Sequence, residues 1–355
     1  MSSRNSDKLT VSVVITTYNR RHSLERCLEA LANQSFPPSE YEIIVVADGC
    51  TDDTEELLRS FRPACAFRWV SQANLGQASA MNAGVAAANG EIVLFLDDDI
   101  VCSPGLVAAH RQSHAREWGP RRAFCWRAGV NEGAVVLGPV VLHPDAPPGV
   151  LRDLIGAFAA AEFRRLSSQG PRPGDLMLCA NSSLERQAAL RFAFDSSFKR
   201  LHDVDAGLRL LADGYRPLFA PDAIAYELYA KSVDAFLRDS ALLGKYEVML
   251  SRRYPEFRAW AGTGRIHQGN PLKRALRRQL AIHASASESA LQAVFSLANP
   301  LRVLPPMNWL ARRVLKARAG IAHLKGAMDE AGSWEKLEEE LSVQRNESAA
   351  SSAAR

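Results

Sequence analysis

Four short apolar runs alternate with helix-like segments over the first hundred residues. The runs are VSVVITT (11–17), EIIVVA (42–47), FRWV (67–70) and EIVLFL (91–96). Helical spacing of apolar residues separates them over 22–33, 52–61 and 77–88. Runs without an alternating polar face are typical of strands covered on both faces, and helices supply the crossovers that parallel strands need. The sequence therefore predicts an α/β fold with a mainly parallel sheet flanked by helices.

Polar residues stand where each predicted strand ends. They are Thr16 to Asn19 after the first run, Asp48 after the second, Asn74 after the third and Asp97 to Asp99 after the fourth. Ligands of open parallel sheets bind outside the carboxyl ends of the strands. We therefore expect the four strand ends to converge on one crevice.

The acidic triplet directly follows the fourth apolar run. Because alternate side chains of an extended segment face the same way, Asp97 and Asp99 are predicted to point together into the crevice and Asp98 away from it. Two carboxylates that leave positions open for phosphate oxygens suit Mg²⁺ or Mn²⁺, which is the predicted cofactor. The alternative is a solvated acidic turn ahead of the helix that begins near Pro104.

Three further residues are candidates for contacts with a nucleotide or its phosphates. Asp48 ends the second strand, where a carboxylate can accept hydrogen bonds from a base or ribose. Asn74 and Asn82 flank the start of the third helix, where Gly76 permits close backbone approach and free N–H groups favour an anion. The alternatives are turn, capping and helix-packing roles.

The segment HDVDAGLRLLADGYR (202–216) contains the second group of acids. Asp203 and Asp205 lie in the first turn of a predicted helix at 203–213, where the helix dipole favours acids, so capping is one interpretation. The other makes one of them a general base that takes a hydroxyl proton. Glu227, at the end of another predicted strand, is either a metal ligand or a surface acid.

Four segments together resemble the family 2 glycosyltransferases of the GT-A fold. In chain order they are VSVVITTYNR, EIIVVADGCTDDT, NLGQASAMNAGVAAANGEIVLFLDDD and HDVDAGLRLLADGYR. The resemblance covers roughly residues 10–255. It implies inverting transfer of a sugar from a UDP-, GDP- or dTDP-sugar to the hydroxyl of a saccharide or lipid-linked acceptor, as in cell-envelope polysaccharide or glycolipid synthesis.

The resemblance also implies roles for single residues. On the donor side, Thr16, Tyr18 and Asp48 would contact the nucleotide, and Asp97 and Asp99 would be the metal-binding DxD pair.

On the acceptor side, Asp203 would be the inverting base and Arg209 would lie near the diphosphate. Asn181-Ser182 falls where such enzymes begin to shape the acceptor site. The implied reaction is one in-line displacement, in which the metal stabilises the departing nucleoside diphosphate.

Three positions depart from the family's pattern. Ala47 stands where many members have an acid, His202 replaces the usual Glu of a Glu-Asp pair, and Glu227 lies near the place of a histidine ligand. These departures leave open whether Asp203 or Asp205 is the base. They also motivate one alternative function, a degenerate glycosyltransferase that acts as a nucleotide-binding or scaffold protein. A DxD phosphatase is a second alternative, although three βα units precede the triplet.

The chain is predicted to divide into four parts: a flexible N-terminus (1–9), a GT-A domain (10–255) with a nucleotide-sugar half (10–100) and an acceptor half (101–255), a basic helical extension (256–345) and a disordered tail (346–355). Within the acceptor half, the pattern predicts one strand over 135–142.

Between 265 and 325 there are eleven Lys or Arg residues and one acid, Glu288. Basic amphipathic helices at 271–283 and 308–325 predict contact with an anionic membrane surface. The alternative is that their apolar faces pack on the catalytic domain.

The composition bears on metal binding and on the cellular location of the protein. The six cysteines form no CxxC pair, so a zinc site is not expected. The polar start MSSRNSDKLT and the lack of a long uncharged apolar run predict neither a secretory signal nor a membrane span. We therefore predict a cytoplasmic protein, peripheral on the inner face of the plasma membrane, that binds no nucleic acid.

Overall fold

A computed structural model of the chain describes residues 9–117, 133–172, 175, 180–229, 231–259 and 261–342. The predicted tail and all but the last residue of the predicted flexible N-terminus lie outside these residues. The described chain forms two compact units. The first comprises Met1–Pro147 and Ile155–Tyr229, and the second comprises Pro148–Leu154 and Ala230–Arg355.

Ten strands lie in the first unit: β1 Val11–Thr17, β2 Tyr41–Asp48, β3 Ala66–Gln72, β4 Ile92–Asp97, β5 Ile100–Cys102, β6 Ala134–Leu137, β7 Val140–Leu142, β8 Asn181–Glu185, β9 Arg216–Phe219 and β10 Ala225–Glu227. Seven form one sheet in the order β3-β2-β1-β4-β8-β6-β9. Strands β1 to β4 are mutually parallel, whereas β8 is antiparallel to both β4 and β6. The carboxyl ends of β1 to β4 therefore share one edge, as the sequence predicts.

The helices connect and cover these strands. In chain order they are α1 Arg21–Ala32, α2 Thr54–Ser60, α3 Gln77–Ala87, α4 Leu106–Glu117, α5 Val150–Gln169, α6 Arg186–Arg191, α7 His202–Ala212, α8 Val233–Arg253, α9 Pro271–Ile282, α10 Ala284–Ala298, α11 Pro305–Ala331 and α12 Trp334–Ser342. Short 3₁₀ segments occur at Pro38–Glu40, Pro255–Ala259 and Gly262–His267.

Alternate side chains of β1 enter two separate apolar cores. Val13 and Ile15 pack with Leu24 and Leu28 of α1, whereas Val14 packs with Met81 of α3 on the other face. Because β1, β2 and β4 are covered on both faces, nearly all of their residues are buried. β3 lies at the sheet edge, and its residues are only partly buried or exposed.

The prediction of a single strand over 135–142 is wrong. Gly138-Pro139 divides this segment into β6, which belongs to the large sheet, and β7, which joins β5 and β10 in a second sheet of three strands. Pro139 has no N–H to donate to a sheet ladder. A side chain at Gly138 would also collide with the Asn181 amide, because its Cβ would lie 2.2 Å from Asn181 Nδ2. The apolar run therefore changes sheets at its middle.

The second unit is helical. Its long helices α8 and α11 approach so closely that a Cβ at Gly244 would lie 1.9 Å from the His323 carbonyl oxygen. Glycine is therefore required for this packing. The larger segment of the unit follows Tyr229, whereas the predicted domain boundary lies at residue 255. Across the described ranges, no helix is both long enough and apolar enough to cross a bilayer.

Candidate active site

The acidic triplet does not continue β4 as an extended segment. Asp97 ends the strand, and Asp98 and Asp99 form a turn that leads into β5. Arg20 pairs with both turn residues, since its Nη1 lies 2.8 Å from Asp98 Oδ1 and its Nη2 lies 2.6 Å from Asp99 Oδ2. Thr17 Oγ1 also donates to Asp98 Oδ2 at 2.8 Å. The prediction that Asp98 faces away from Asp99 is therefore wrong, because side chains alternate only in extended chain.

Asp97 lies at the centre of a concentration of negative charge. Burial and, to a smaller extent, the charges of Asp99, Asp98, Glu227 and Asp203 together raise the pKa of its carboxyl to about 7. Like charges shift a carboxyl pKa in this way only when they are close. The structure therefore brings the three predicted metal ligands, Asp97, Asp99 and Glu227, into one electrostatic site with the predicted base.

Strand pairing explains the position of Glu227. It ends β10 and stands opposite Ile100, the first residue of β5 after the acidic turn. The next residue, Leu228, donates its N–H to the Asp99 carbonyl oxygen at 3.0 Å. The small sheet thus holds Glu227 beside a triplet more than a hundred positions earlier in the chain.

The two acids of α7 have different surroundings. Asp205 is fully buried, and its Oδ2 accepts from Arg209 Nε at 3.0 Å. Arg209 Nη2 also donates to the Ala193 carbonyl oxygen at 2.8 Å. Asp203 is only partly buried. Because Asp205 is committed to Arg209, the geometry favours Asp203 as the residue that meets an acceptor.

His202 is buried at the first residue of α7. Burial lowers the pKa of its imidazole, and the ring meets Phe194 edge to face with 5.8 Å between centroids. The side chain is therefore neutral and packed, unlike the carboxylate that the family's pattern places here.

Asp48 organises the loop that follows β3. Its Oδ1 accepts from Gln72 Nε2 at 2.7 Å and from the Leu75 N–H at 2.9 Å, and its Oδ2 accepts from the Gly76 N–H at 2.9 Å. The carboxylate is buried. It therefore shapes the entrance to α3, and a direct contact between Asp48 and a nucleotide stays a prediction.

The two candidate asparagines differ. The Asn82 amide forms a pair of hydrogen bonds with the backbone of Phe194, accepting from its N–H and donating to its carbonyl oxygen at 2.8 Å each. Asn74 is exposed in the loop between β3 and α3. The structure thus gives Asn82 a packing role ahead of α7, while Asn74 is accessible.

The end of β1 contributes predicted and unpredicted residues. Thr16 is partly exposed and lies beside Asp97 in the parallel register, and Tyr18 is exposed. Asn19, which the sequence places among the polar residues of this strand end, adopts a left-handed backbone with φ 53°, and its Oδ1 accepts from the Thr51 N–H at 2.7 Å. Arg20 was not predicted to belong to the site. The signal for it in the sequence is its position shortly after a predicted buried strand, at the edge where ligands bind.

Asn181 is buried on β8, which pairs with β4, the strand that ends in Asp97. Its Nδ2 donates to the carbonyl oxygens of Pro139 and Ala223, so its Oδ1 accepts from His110 Nε2 at 2.9 Å. The Ser183 hydroxyl then donates to His110 Nδ1 at 2.8 Å and accepts from His114 Nε2 at 2.9 Å. Asn181 therefore joins two sheets, and its contribution to an acceptor site stays a prediction.

The donor set fits a divalent cation that keeps open positions. Within the described ranges, no three His, Cys, Asp or Glu residues are arranged to hold a metal by themselves. Magnesium-type sites commonly use one or two carboxylates and complete their coordination with water and substrate phosphates. Asp97 is influenced by the charges of four other acids, and Arg20 pairs with two of these, Asp98 and Asp99, so negative charge is available for an incoming ion.

Comparison with known proteins agrees with this geometry. Residues 12–118, which include β1 to β5 and α4, match the model of "Glycosyl transferase family 2". Residues 12–118 thus form a family 2 glycosyltransferase domain. The fold resembles that of a mannosyltransferase from Pyrobaculum calidifontis, with a TM-score of 0.59, 20% identity and coverage of 91% of this chain and 88% of that one. The fold class is therefore the GT-A fold, with helices following the domain, as predicted.

Two sequence relatives carry named activities. Validoxylamine A glucosyltransferase of Streptomyces hygroscopicus subsp. limoneus is 34% identical over 171 residues, which cover 47% of this chain and 35% of the relative. Glycosyltransferase AglE of Haloferax volcanii is 38% identical over 96 residues, covering 26% and 31% of the two chains. The similarity thus spans about a third of each relative's length.

Proposed function

We propose that the domain transfers a sugar from a nucleotide-diphosphate donor to an acceptor hydroxyl, with inversion at the anomeric carbon. The observation that carries this proposal is the electrostatic coupling of Asp97 to Glu227 and Asp203 at the edge where β1 to β4 end. One group of acids suits a cation and a diphosphate, and another acid faces them from α7. A general base and a leaving-group site must lie this close for one displacement to use both.

Asp203 acts as the general base in this proposal. The acceptor oxygen bonds to the anomeric carbon as its proton passes to the Asp203 carboxylate. The bond from that carbon to the diphosphate oxygen breaks, and its electron pair leaves with the nucleoside diphosphate. Because attack and departure occur on opposite faces, the anomeric configuration inverts. Arg209, one turn after Asp205, adds positive charge on the diphosphate side and is held there by Asp205.

Asp97 and Asp99 would hold Mn²⁺ or Mg²⁺, with Glu227 as a further ligand. Such a cation, when bound, neutralises the charge that develops on the diphosphate. The mannosyltransferase with the similar fold was solved with GDP-Man and Mn²⁺, which supports a donor of this class and a divalent ion here. Arg20 balances Asp98 and Asp99, so the turn can keep its shape before the cation arrives.

The donor contacts divide into direct and indirect ones. We assign direct contacts with the nucleotide to Thr16, Tyr18 and Asn74, which are accessible at the strand ends. Asp48 and Asn82 act through the segments that they hold, the loop before α3 and the segment before α7. The acceptor is a polyhydroxylated molecule, a saccharide or a lipid-linked one, met at the inner face of the plasma membrane.

A donor screen followed by a turnover assay tests the proposal. Nucleoside diphosphates and nucleotide-sugars are first ranked by the rise in melting temperature that they cause with Mn²⁺, because ligands of the native state stabilise it. Transfer from the best donor is then followed by nucleotide release and by NMR of the product's anomeric configuration. Asp203→Asn should keep donor binding and lose transfer by about two to four orders of magnitude.

Asp222→Asn is the matched control, because Asp222 is an exposed acid in a turn of the same unit. It should keep the wild-type rate. Retained configuration in the product, or full transfer by Asp203→Asn, would contradict the mechanism. Failure of every nucleotide-sugar to raise the melting temperature would contradict the function itself.

A further inference from the structure

The corner between α10 and α11 carries an exposed apolar surface. Five large apolar side chains within thirteen consecutive positions are at least half exposed: Leu297 (74%), Leu301 (50%), Val303 (84%), Leu304 (51%) and Trp309 (58%). We call these five residues the apolar corner. Single exposed apolar residues are ordinary, but a contiguous group of this size marks an interaction surface.

The corner is ordered by its own backbone. Successive turns are closed by hydrogen bonds from the Leu301 N–H to the Ala298 carbonyl, from Leu304 to Leu301 and from Asn308 to Leu304, at 2.9–3.2 Å. The inner side of the corner is buried through Phe295, Ala298 and Ala311. The inward-facing residues of this segment therefore pack in the interior, and the five residues of the apolar corner are exposed.

Basic residues predominate beside the corner, although Asp153 accepts from Asn308 Nδ2 at 3.2 Å. No Asp or Glu occurs from residue 289 to residue 328, whereas Arg302, Arg312, Arg313 and Lys316 lie beside the corner in the sequence. The Arg313 guanidinium stacks over the Trp309 ring, 4.6 Å from its centroid. An exposed aromatic ring with a cation on it is the arrangement found where proteins meet the headgroups of a bilayer.

Of the helices that the sequence predicts to be amphipathic, α11 contributes Trp309 to the apolar corner and buries much of its remaining apolar face. On α11, Val314, Leu315 and Ile321 are buried, so this part of the predicted apolar face belongs to the core of the second unit. α9 exposes Leu272 (77%) and Leu276 (56%) but carries no aromatic residue, and its Arg278 pairs with Glu335 at 2.5 Å. Membrane contact through α9 stays a prediction, whereas the corner combines exposed apolar side chains with an exposed aromatic ring and a cation.

We propose that the apolar corner inserts into the headgroup layer of an anionic membrane, with Arg302, Arg312, Arg313 and Lys316 contacting the lipid phosphates. The occupant of this surface is a lipid bilayer, because apolar side chains ringed by cations complement acyl chains beneath anionic headgroups. The inference concerns attachment and does not depend on the proposed transfer reaction.

Vesicle sedimentation of the full chain tests the proposal. Wild-type protein should sediment with vesicles of phosphatidylcholine and phosphatidylglycerol in equal parts and only weakly with vesicles of phosphatidylcholine alone. Added salt should weaken the binding, because surface charges are screened. Val303→Glu should reduce binding at least about tenfold, since it replaces an inserted apolar group by a charge that the headgroups repel.

Leu272→Glu is the matched control, an equally exposed apolar residue of the same unit. It should bind vesicles as wild type does, and both variants should keep the wild-type melting temperature. Loss of binding in Leu272→Glu with full binding in Val303→Glu would overturn the proposal in favour of α9. Absence of anionic vesicle binding by wild type, or a dimer in solution that only Val303→Glu dissociates, would overturn it in favour of a protein partner.

Discussion

Arg20 Nη2 lies 2.6 Å from Asp99 Oδ2, and this ion pair joins the end of β1 to the turn after β4. The same guanidinium contacts Asp98, whose carboxylate also accepts from Thr17. One basic residue thus fixes two neighbouring acids that would otherwise repel each other. The candidate metal site therefore rests on a contact between segments about eighty residues apart.

Replacement of Arg20 should destabilise the first unit. Arg20→Met leaves Asp98 and Asp99 buried without their cation, and we expect a loss of about 1–3 kcal/mol, since Arg20 itself is one-third exposed. Urea unfolding provides the measurement. Arg21→Met is the control, because Arg21 is more exposed and its ion pair, with Glu25, is a long 3.5 Å. An equal effect of the two substitutions would contradict the account of the turn.

Asp48→Ala should loosen the loop before α3. The substitution removes the acceptor for the Leu75 and Gly76 N–H groups, and a lost hydrogen bond of this kind costs about 1–3 kcal/mol. Hydrogen exchange at these two amides should accelerate by roughly ten- to a hundredfold. Asp53→Ala, at an exposed acid whose side chain makes no capping bond to α2, should leave both rates unchanged. Unchanged exchange in Asp48→Ala would show that the loop does not depend on this carboxylate.

Substitutions of the two acids of α7 should have different effects: one should lower stability and the other should lower the rate of transfer. Asp205→Asn removes the buried charge opposite Arg209 and should lower stability by about 2–4 kcal/mol. Asp203→Asn should leave the melting temperature near that of wild type while transfer is lost. Measurement of the melting temperature and the transfer rate of both variants decides the question. A stable, inactive Asp205→Asn beside an active Asp203→Asn would exchange their roles.

Stability of the first unit should fall in mild acid because of two buried histidines. Burial lowers the pKa of His110 to about 4 and that of His114 to about 3. Both values lie below the unfolded value near 6.5, so the unfolded chain binds protons first as the pH falls. The stability contributed by the neutral rings is therefore complete above about pH 6.5 and is lost progressively between about pH 6.5 and 3.

Native-state hydrogen exchange at the β8 amides measures this loss, which should reach several kcal/mol, since one pKa unit corresponds to about 1.4 kcal/mol. His114→Gln should flatten the dependence on pH. His283→Gln, at an exposed histidine of the second unit, should leave it unchanged. A flat profile in the wild-type protein would show that the rings are not buried in the neutral form.

The sheet was predictable from local pattern because β1, β2 and β4 are covered on both faces and are largely continuous apolar runs. The common edge followed from parallel pairing alone. The arrangement of the side chains at that edge was harder to predict from the sequence. Alternation predicted Asp98 to face away, but a two-residue turn replaced the extended chain, and turns depend on what the neighbouring segment offers, here Arg20.

Contacts between residues that are far apart in the sequence could not be predicted from it either. The bonds between Asn82 and Phe194 join residues 112 positions apart, so an amide that is ideal for a ligand is occupied by the backbone instead. The same holds for Asn181, which bridges Pro139 and Ala223. A residue type suited to binding predicts a site only when its hydrogen bonds are not already used in packing.

Metal-dependent donor binding tests the central claim most directly. Calorimetric titration of the best nucleoside diphosphate into the full chain, with Mn²⁺ and without it, gives the contribution of the cation to affinity. We predict that the wild type binds the nucleoside diphosphate tightly only when Mn²⁺ is present. Asp145→Asn, which changes an exposed acid of the same unit, should behave in the same way. Asp97→Asn and Asp99→Asn should lose the Mn²⁺-dependent part. Equal affinity of Asp97→Asn, Asp99→Asn and wild type in the presence of Mn²⁺ would contradict the assignment of a cation and a diphosphate to this site.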